Sequence, residues 1–295
     1  MSSERQRATF RRAIGQGRAL ILFGAYDALS ARLIEESGGS AMFISGFSVV
    51  GARYGIPDIG LRAFGDISSA VRDIVSATSV PALVDADDGY GDVKNVIYTV
   101  QSYERMGVSA LMIEDQQWPK RCGHMSGKSV VSISEIEAKI RAAVSERVDP
   151  DTFVIARTDA RSVNGLDDAL RRAERMLRAG AHGLFIEAPE SVEEMETIGR
   201  TFDVPLLANP LPGGKSPILK PEEYFELGFE IVCYGITPLL AAAGAIRSRI
   251  KDVVSGRFAL NDADMSFDDF KALVGLGTWD RLDEEYGLKP SNANG

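Results

Sequence analysis

Eight short apolar runs, each followed by a longer amphipathic segment, limit most strongly what this chain can fold into. The runs are "ALILF" (19–23), "AMFIS" (41–45), "PALVD" (81–85), "ALMIE" (110–114), "TFVIAR" (152–157), "GLFIE" (183–187), "PLLAN" (205–209) and "EIVCY" (230–234). Runs of this length and composition are typical of buried strands. Helical periodicity lies between them over 27–38, 65–78, 93–107, 133–147, 165–180, 190–201 and 220–228.

This alternation predicts parallel strands joined by crossover helices. Eight such units close a (β/α)8 TIM barrel, which is the α/β fold we expect. A doubly wound open sheet is the alternative, but no G-x-G-x-x-G motif follows an early strand. We predict a single barrel domain over 1–295, in which 255–295 is a C-terminal helical extension.

The overall charge and the cysteine content restrict the possible partners and compartment. A formal net charge of −9 disfavours nucleic acid and anionic membranes as partners. No apolar run approaches the roughly 18 residues of a membrane span, and we interpret "ALILFG" as a strand rather than part of a secretion signal. Two distant cysteines, Cys122 and Cys233, give no disulfide framework. We therefore expect a cytoplasmic protein.

In a TIM barrel the catalytic groups lie at the carboxyl ends of the strands. The predicted strands end at or just before polar residues, namely Tyr26, Ser45 with Gly46, Asp85 with Asp87, Glu114, Arg157, Glu187, Asn209 and Tyr234. A polar turn residue after one strand has little meaning. A polar group after every strand predicts a site at this end of the barrel.

The stretch "DADDGYG" (85–91) places Asp85 and Asp87 two positions apart, and Glu114 ends the next strand. Hard oxygen ligands of this kind suit Mg²⁺, or Mn²⁺, which keep several waters. The alternative is an Asp-rich turn before a helix. Zinc is disfavoured because the two histidines and two cysteines are scattered.

Arg157 follows the apolar "FVI" and must meet a carboxylate if it is buried. The partner is either Glu187 or a substrate carboxylate, and Asn209 is a further candidate contact to the same ligand.

The stretch "KRCGHMSGK" (120–128) carries Cys122 beside Lys120, Arg121 and His124, cations that favour a thiolate. We predict an acid or base at Cys122; the alternative is a small buried cysteine in a basic loop that closes over an anion. A protease nucleophile is disfavoured, since no third orienting residue is evident. Cys233 is expected to pack in the core and His182 to link a helix to a strand.

Several stretches together resemble the isocitrate lyase / phosphoenolpyruvate mutase superfamily. They are "GAYDALSA" (24–31), "SG" (45–46), "GIPDIG" (55–60), "DADDGYG" (85–91), "IEDQ" (113–116), "KRCGH" (120–124), "ARTDA" (156–160), "EAP" (187–189) and "AN" (208–209). The resemblance implies a barrel whose eighth helix is exchanged between subunits, in a homotetramer. It implies Mg²⁺ at Asp85 and Asp87, with Glu114 in the outer shell.

The resemblance also implies the substrate contacts and the chemistry. The substrate would be a small dicarboxylate bound by Ser45, Gly46, Phe47, Asp58, Lys120, Arg121, Gly123, His124, Glu187 and Asn209, with Cys122, Tyr26 and Arg157 catalytic. The implied reaction is retro-aldol cleavage of a 2-hydroxy carboxylate. Cys122 would protonate the enolate that leaves, and Tyr26 is one candidate for the base that takes the hydroxyl proton.

The choice among members rests on three positions. "NPLPGGKSP" (209–217) resembles the group of 2,3-dimethylmalate lyase, petal-death protein and carboxyphosphonoenolpyruvate mutase, although Pro210 and Pro212 depart from it. Leu240 and Trp279 stand where methylisocitrate lyases carry arginines. An alkylated malate is therefore the preferred substrate. Carboxyphosphonoenolpyruvate phosphonomutase, methylisocitrate lyase and an inactive dicarboxylate-binding barrel remain as alternatives.

Overall fold

Eight parallel strands form one sheet in the order β6-β5-β4-β3-β2-β1-β8-β7 in the computed structural model, which describes residues 3–121, 123, 127–257 and 264–287. The strands are β1 (Leu20–Ala25), β2 (Ala41–Ile44), β3 (Ala82–Asp85), β4 (Ala110–Glu114), β5 (Phe153–Thr158), β6 (Gly183–Ile186), β7 (Leu207–Ala208) and β8 (Ile231–Tyr234). A single parallel bridge between Leu184 and Leu206 joins β6 to the segment before β7. The TIM-barrel prediction is confirmed.

Helices follow the strands along the chain. They are α1 (Ser3–Ala13), α2 (Ala28–Glu36), α3 (Gly46–Tyr54), α4 (Phe64–Ser76), α5 (Val93–Met106), α6 (Ile133–Ser145), α7 (Arg161–Asn164), α8 (Leu166–Arg178), α9 (Val192–Thr201), α10 (Pro221–Glu226), α11 (Thr237–Val254), α12 (Phe267–Leu273) and α13 (Leu276–Tyr286). None of these helices has the length and apolar character that a membrane crossing requires.

Two apolar layers hold the barrel together. Every residue of β2 to β6 is buried, as expected for strands covered on both faces. The inward-facing side chains form one core cluster, which includes Leu22, Leu83, Ile155 and Ile231. The outward-facing side chains belong to a larger cluster that also contains the buried faces of the helices. The strands are therefore rigid supports for the residues at their ends.

Two helices near the amino terminus were not expected from the sequence pattern. Helix α1 contributes the fully buried Phe10 to the inner cluster, so it covers one end of the barrel interior. Helix α3 begins directly after β2 and buries Val49 and Val50. In both cases tertiary burial outweighs a weak local pattern.

The chain divides into two compact units, residues 1–243 and 244–295. The first contains the barrel, and the second contains the rest of α11 with α12 and α13. The assignment of 1–295 to one domain with an extension over 255–295 stays a prediction.

Candidate active site

A small cavity of about 90 Å³ lies at the carboxyl ends of the strands. It brings together many of the predicted site residues, namely Ser45, Phe47, Asp58, Asp85, Glu114, Lys120, Arg121, Gly123, Arg157, Glu187 and Asn209. Apolar side chains complete the lining: Phe43, Met112, Phe185, Leu207, Leu211, Cys233 and Ile236. The sequence pattern did not identify this apolar part of the wall.

One side of the cavity is built around the ammonium group of Lys120. Lys120 Nζ lies 2.6 Å from Asp58 Oδ2 and 2.7 Å from Asp87 Oδ1, and all three side chains are buried. The contact to Asp58 is a hydrogen bond, whereas Asp87 Oδ1 has no partner with hydrogen-bond geometry within the described residues. Burial raises the pKa of Asp87 to about 7; Lys120 opposes the shift, while Asp85 and Asp58 add to it. This region therefore carries an excess of buried negative charge.

The backbone before α5 fixes the position of Asp87. Asp87 has a φ of 47°, in the left-handed region that non-glycine residues rarely adopt. Its N–H donates to Asp85 Oδ1 at 3.1 Å, and its carbonyl accepts from Glu114 N–H at 2.8 Å. Asp85 and Asp87 thus come from one strand end and are held by the next strand.

A second part of the cavity wall is built around Arg157 on β5. Arg157 Nε lies 2.9 Å from Asp159 Oδ2 and 3.3 Å from Glu114 Oε2, and Nη2 lies 3.3 Å from Glu187 Oε2. Burial lowers the pKa of the guanidinium, but Asp159, Glu114 and Glu187 outweigh burial and raise it. The prediction that a buried Arg157 must meet carboxylates is confirmed.

Gln116 connects Glu114 to the segment that begins at Lys120. Its Nε2 donates to Glu114 Oε2 at 3.1 Å and to the Arg121 carbonyl at 2.8 Å, and its Oε1 accepts from Arg121 N–H at 2.9 Å. Glu114 Oε1 has no hydrogen-bond partner among the described residues. Burial raises the pKa of Glu114, although Arg157 opposes the shift.

A family model described as phosphoenolpyruvate phosphomutase matches residues 10–254. The chain belongs to the phosphoenolpyruvate mutase / isocitrate lyase superfamily. Its relatives include lyases, so the prediction of an enzyme of this carbon–carbon lyase class is confirmed.

Curated relatives with different activities resemble this superfamily member to a similar degree. The 2,3-dimethylmalate lyase of Eubacterium barkeri is 37% identical over 284 residues, which cover 95% of this chain and 97% of that protein. The 2-methylisocitrate lyase of Halalkalibacterium halodurans is 38% identical over 90% of this chain and 91% of that protein. The chloroplastic carboxyvinyl-carboxyphosphonate phosphorylmutase of Arabidopsis thaliana is 36% identical over 94% and 84%. Overall identity therefore does not select the substrate.

Solved structures of the superfamily share the whole fold. Oxaloacetate acetylhydrolase in complex with 3,3-difluorooxalacetate superposes with a TM-score of 0.92 at 30% identity, covering 99% of this chain and 100% of that one. Phosphonopyruvate hydrolase in complex with oxalate and Mg²⁺ gives a TM-score of 0.84 at 28% identity, covering 97% and 99%.

The predicted Mg²⁺ ligands, Asp85 and Asp87, lie beside a small space next to Gly46. A Cβ atom added to Gly46 would lie 3.5 Å from Asp87 Oδ1 and 3.8 Å from Asp85 Oδ2, so both carboxylates border the same small space. Within the described residues no three acidic, histidine or cysteine side chains form a ready-made metal centre. Two carboxylates with surplus negative charge fit Mg²⁺, which retains waters and accepts few protein ligands.

Tyr26 lines a different hollow from the one that Arg157 lines. It lines a separate hollow of about 360 Å³ together with Arg53 and Asp73, and it is not among the residues that line the active-site cavity. Burial, and then Asp27, raise the pKa of its phenol. Its role as a base stays a prediction.

The remaining predictions have different outcomes. Cys122 and His124 lie outside the described residues. Cys233 is buried in β8, where it packs in the inner cluster as expected and also lines the cavity floor. His182 joins α8 to β6 as expected, and its Nδ1 accepts a hydrogen bond from Val154 N–H at 2.9 Å.

Proposed function

We propose that this chain is a Mg²⁺-dependent lyase that cleaves a 2-hydroxy dicarboxylate of the alkylated malate type into a 2-oxo acid and a carboxylate. The mixed lining of the cavity supports this function. Charged and polar residues include Asp58, Lys120 and Glu187, while Phe43, Phe185, Leu207, Leu211 and Ile236 supply apolar surface. The polar groups suit the hydroxy acid, and the apolar surface suits an alkyl-bearing carbon.

The described part of the cavity offers no free cation that we assign to a third substrate carboxylate. Arg157 is the cation we assign to the first carboxylate, and Lys120 is paired with two acids, so among the described residues that line the cavity Arg121 is the cation we assign to a second carboxylate. A further carboxylate against Leu211 and Ile236 would lose hydration without compensation. The uncharged Leu240 and Trp279 agree with a dicarboxylate.

The proposed reaction follows from the charges around the cavity. Asp85 and Asp87 would hold Mg²⁺, with Glu114 in the outer shell. When bound, Mg²⁺ supplies neutralising charge beside the substrate carboxylate. Arg157 orients the same carboxylate with Ser45 and Phe47, while Glu187, which pairs with Arg157, and Asn209 line the cavity beside it.

In the bond-breaking step the substrate hydroxyl loses its proton and its C–O bond becomes the carbonyl of the 2-oxo acid. The C2–C3 bond breaks, and its electron pair forms the enolate of the departing carboxylate. Cys122 then donates its thiol proton to the enolate carbon, and the basic sequence segment that contains Lys120 and Arg121 stabilises the thiolate that remains. The hydroxyl proton passes to a base, for which Tyr26 stays the predicted candidate.

A carboxyphosphonoenolpyruvate phosphonomutase is the second candidate. The "GGKSP" stretch (213–217) and the relative from Arabidopsis thaliana support it. Methylisocitrate lyase comes third, and an inactive dicarboxylate-binding barrel is the non-enzymatic alternative.

We further propose a homotetramer in which the last barrel helix, α11, packs on a second copy of the chain. No side chain of α11 is buried, and Ile246 and Ile250 are 60% and 57% exposed. Exposed apolar side chains of this kind mark association surfaces. Light scattering after size exclusion tests the proposal: the parent should be a tetramer, and Ile246→Glu with Ile250→Glu should dissociate it. The cytoplasmic location stays a prediction.

A substrate panel tests the proposed function. We expect the purified protein with Mg²⁺ to release a 2-oxo acid from 2,3-dimethylmalate or citramalate, and much less from methylisocitrate. Coupled 2-oxo acid detection covers the lyase substrates, and phosphorus NMR covers a carboxyphosphonate. A preference for methylisocitrate contradicts the substrate class, a phosphonate product supports the second candidate, and turnover of none supports the binding protein.

A further inference from the structure

A buried ion pair next to the cavity connects the end of the 120–128 segment to Arg157. Lys128 Nζ lies 2.6 Å from Asp159 Oδ1, and the two side chains are 1% and 0% exposed. Asp159 also accepts two hydrogen bonds from Arg157, from Nε at 2.9 Å and from Nη2 at 3.1 Å. One carboxylate is therefore shared by a cation that lines the cavity and a cation that does not.

The position of Asp159 is fixed independently of both cations. Its N–H donates to Asp115 Oδ1 at 2.9 Å, and Thr158 Oγ1 donates to Asp115 Oδ2 at 2.7 Å. Arg172 on α8 lies 3.2 Å from the same Asp115 oxygen. Since the hydrogen bond to Asp115 holds Asp159 in place, the contacts of Asp159 with Lys128 and Arg157 set where those two side chains lie.

Lys128 makes a second contact, a hydrogen bond from its ammonium to the carbonyl oxygen of Gly123. Gly123 lies directly against Arg157 and Glu187, which line the cavity. An added Cβ would be 2.6 Å from Arg157 Nη2 and 2.5 Å from Glu187 Cδ, distances at which the neighbours would have to shift. A glycine is needed here because of this close approach.

We infer that Lys128 is a positioning residue, which seats Gly123 against Arg157 and Glu187 and aligns the Arg157 guanidinium through Asp159. The inference deepens the proposed function and rests on it, because Arg157 is there the ligand of the substrate carboxylate. Lys128 holds Gly123 and Arg157 in a fixed arrangement without contacting the substrate. A misplacement of about 1 Å at such a site costs on the order of a hundredfold in rate.

Lys128→Met tests this role, since methionine keeps much of the length and volume but removes the three N–H donors. Lys94→Met is the matched control, because Lys94 is 90% exposed on α5. We expect Lys128→Met to lower kcat by roughly a hundredfold with a smaller change in KM. Hydrogen exchange should become faster in the peptides over 116–128 and 153–160 and stay unchanged over 166–178. Lys94→Met should change neither readout.

Gly123→Ala reaches the same arrangement from the other side: if Lys128→Met does not fold, Gly123→Ala alone should lower kcat and speed exchange in the same two peptides, and parental behaviour of this variant overturns the inference. Where both single variants fold, the double variant Lys128→Met with Gly123→Ala should have a kcat no lower than that of the slower single variant, because both residues act through the same contact. Losses that multiply overturn the inference, as does a loss of kcat without faster exchange in those two peptides. Parental exchange in Lys128→Met overturns it as well.

The exchange measurement needs no substrate, so it separates this inference from the proposed function. If the parent protein turns over no compound of the panel, the proposed function fails. Faster exchange in the two peptides of Lys128→Met then still supports the seating of Gly123 and Arg157, and unchanged exchange still overturns it.

Discussion

Lys120 Nζ lies 2.7 Å from Asp87 Oδ1 in the interior of the protein, and the same nitrogen lies 2.6 Å from Asp58 Oδ2. Asp58 and Asp87, which are far apart in the sequence, therefore both pair with the single positive charge of Lys120. Removing one partner of a buried pair leaves an uncompensated charge, which typically costs about 3–5 kcal/mol. We expect Lys120→Met to lower the free energy of unfolding by about this amount in urea at pH 7, and to abolish turnover.

The double variant Lys120→Met with Asp58→Asn provides the control, because it removes one of the acids that Lys120 neutralises. It should recover part of the lost stability and none of the activity. Parental stability in the single variant would contradict the assigned ion pairs.

Removal of the proposed Mg²⁺ ligands should separate metal binding from folding. We expect Asp85→Ala and Asp87→Ala to abolish Mg²⁺-dependent turnover while the circular dichroism spectrum and the thermal midpoint change little. Lys120 keeps its ion pair with Asp58 in both variants, so no buried cation is left without a partner and the stability is retained. Calorimetric titration of the apoprotein with Mn²⁺ should show binding in the parent and none in either variant. Full activity in chelator would falsify the metal assignment.

Cys122→Ser tests the proposed acid. Serine keeps the size and hydrogen bonding of cysteine but has a much higher side-chain pKa, so it is a poor proton donor to the enolate. We expect kcat to fall by roughly a hundredfold or more, the low end of what a positioned acid supplies. KM should change little, because Arg157 and Mg²⁺ bind the substrate. Turnover near the parental rate would mean that Cys122 is not the acid.

His182 should make the stability of the barrel depend on pH. Burial, and then Arg11 and Arg147, lower the pKa of its imidazole to about 4, below the value of roughly 6.5 in an unfolded chain. Between these values the unfolded state binds a proton that the folded state does not. The contribution of His182 to stability is therefore complete above about pH 6.5 and decreases as the pH falls to about 4.

Two variants separate the titration of His182 from its hydrogen bond to Val154. His182→Asn retains an acceptor, so we expect a flatter dependence of the urea midpoint on pH between 4 and 7. His182→Phe removes the acceptor and should lose about 1–3 kcal/mol at pH 7, the usual cost of an unsatisfied buried N–H. An unchanged pH profile in His182→Asn would assign the dependence to other groups.

The sequence by itself determined the barrel and the edge at which the site lies. Each predicted strand coincides with an observed one to within two residues at either end, although 205–209 shortens to the two residues Leu207–Ala208 in β7. The agreement has a physical cause: strands covered on both faces must be continuous apolar runs, and parallel strands direct all their carboxyl ends to one side. Polar residues after these runs, such as Asp85, Glu114 and Arg157, therefore had to converge.

Only the tertiary structure decided which of these residues touch. Arg157 pairs with Asp159 as well as with Glu114 and Glu187, Lys128 reaches Asp159, and Tyr26 lines a different hollow. Such contacts depend on side-chain direction and on the spacing of elements distant in the chain, which periodicity does not encode. The apolar wall at Leu211 and Ile236 was invisible for the same reason, because an apolar residue in a loop has no pattern of its own. The space that leaves room only for glycine at Gly123 exists only once Arg157 and Glu187 are packed beside it.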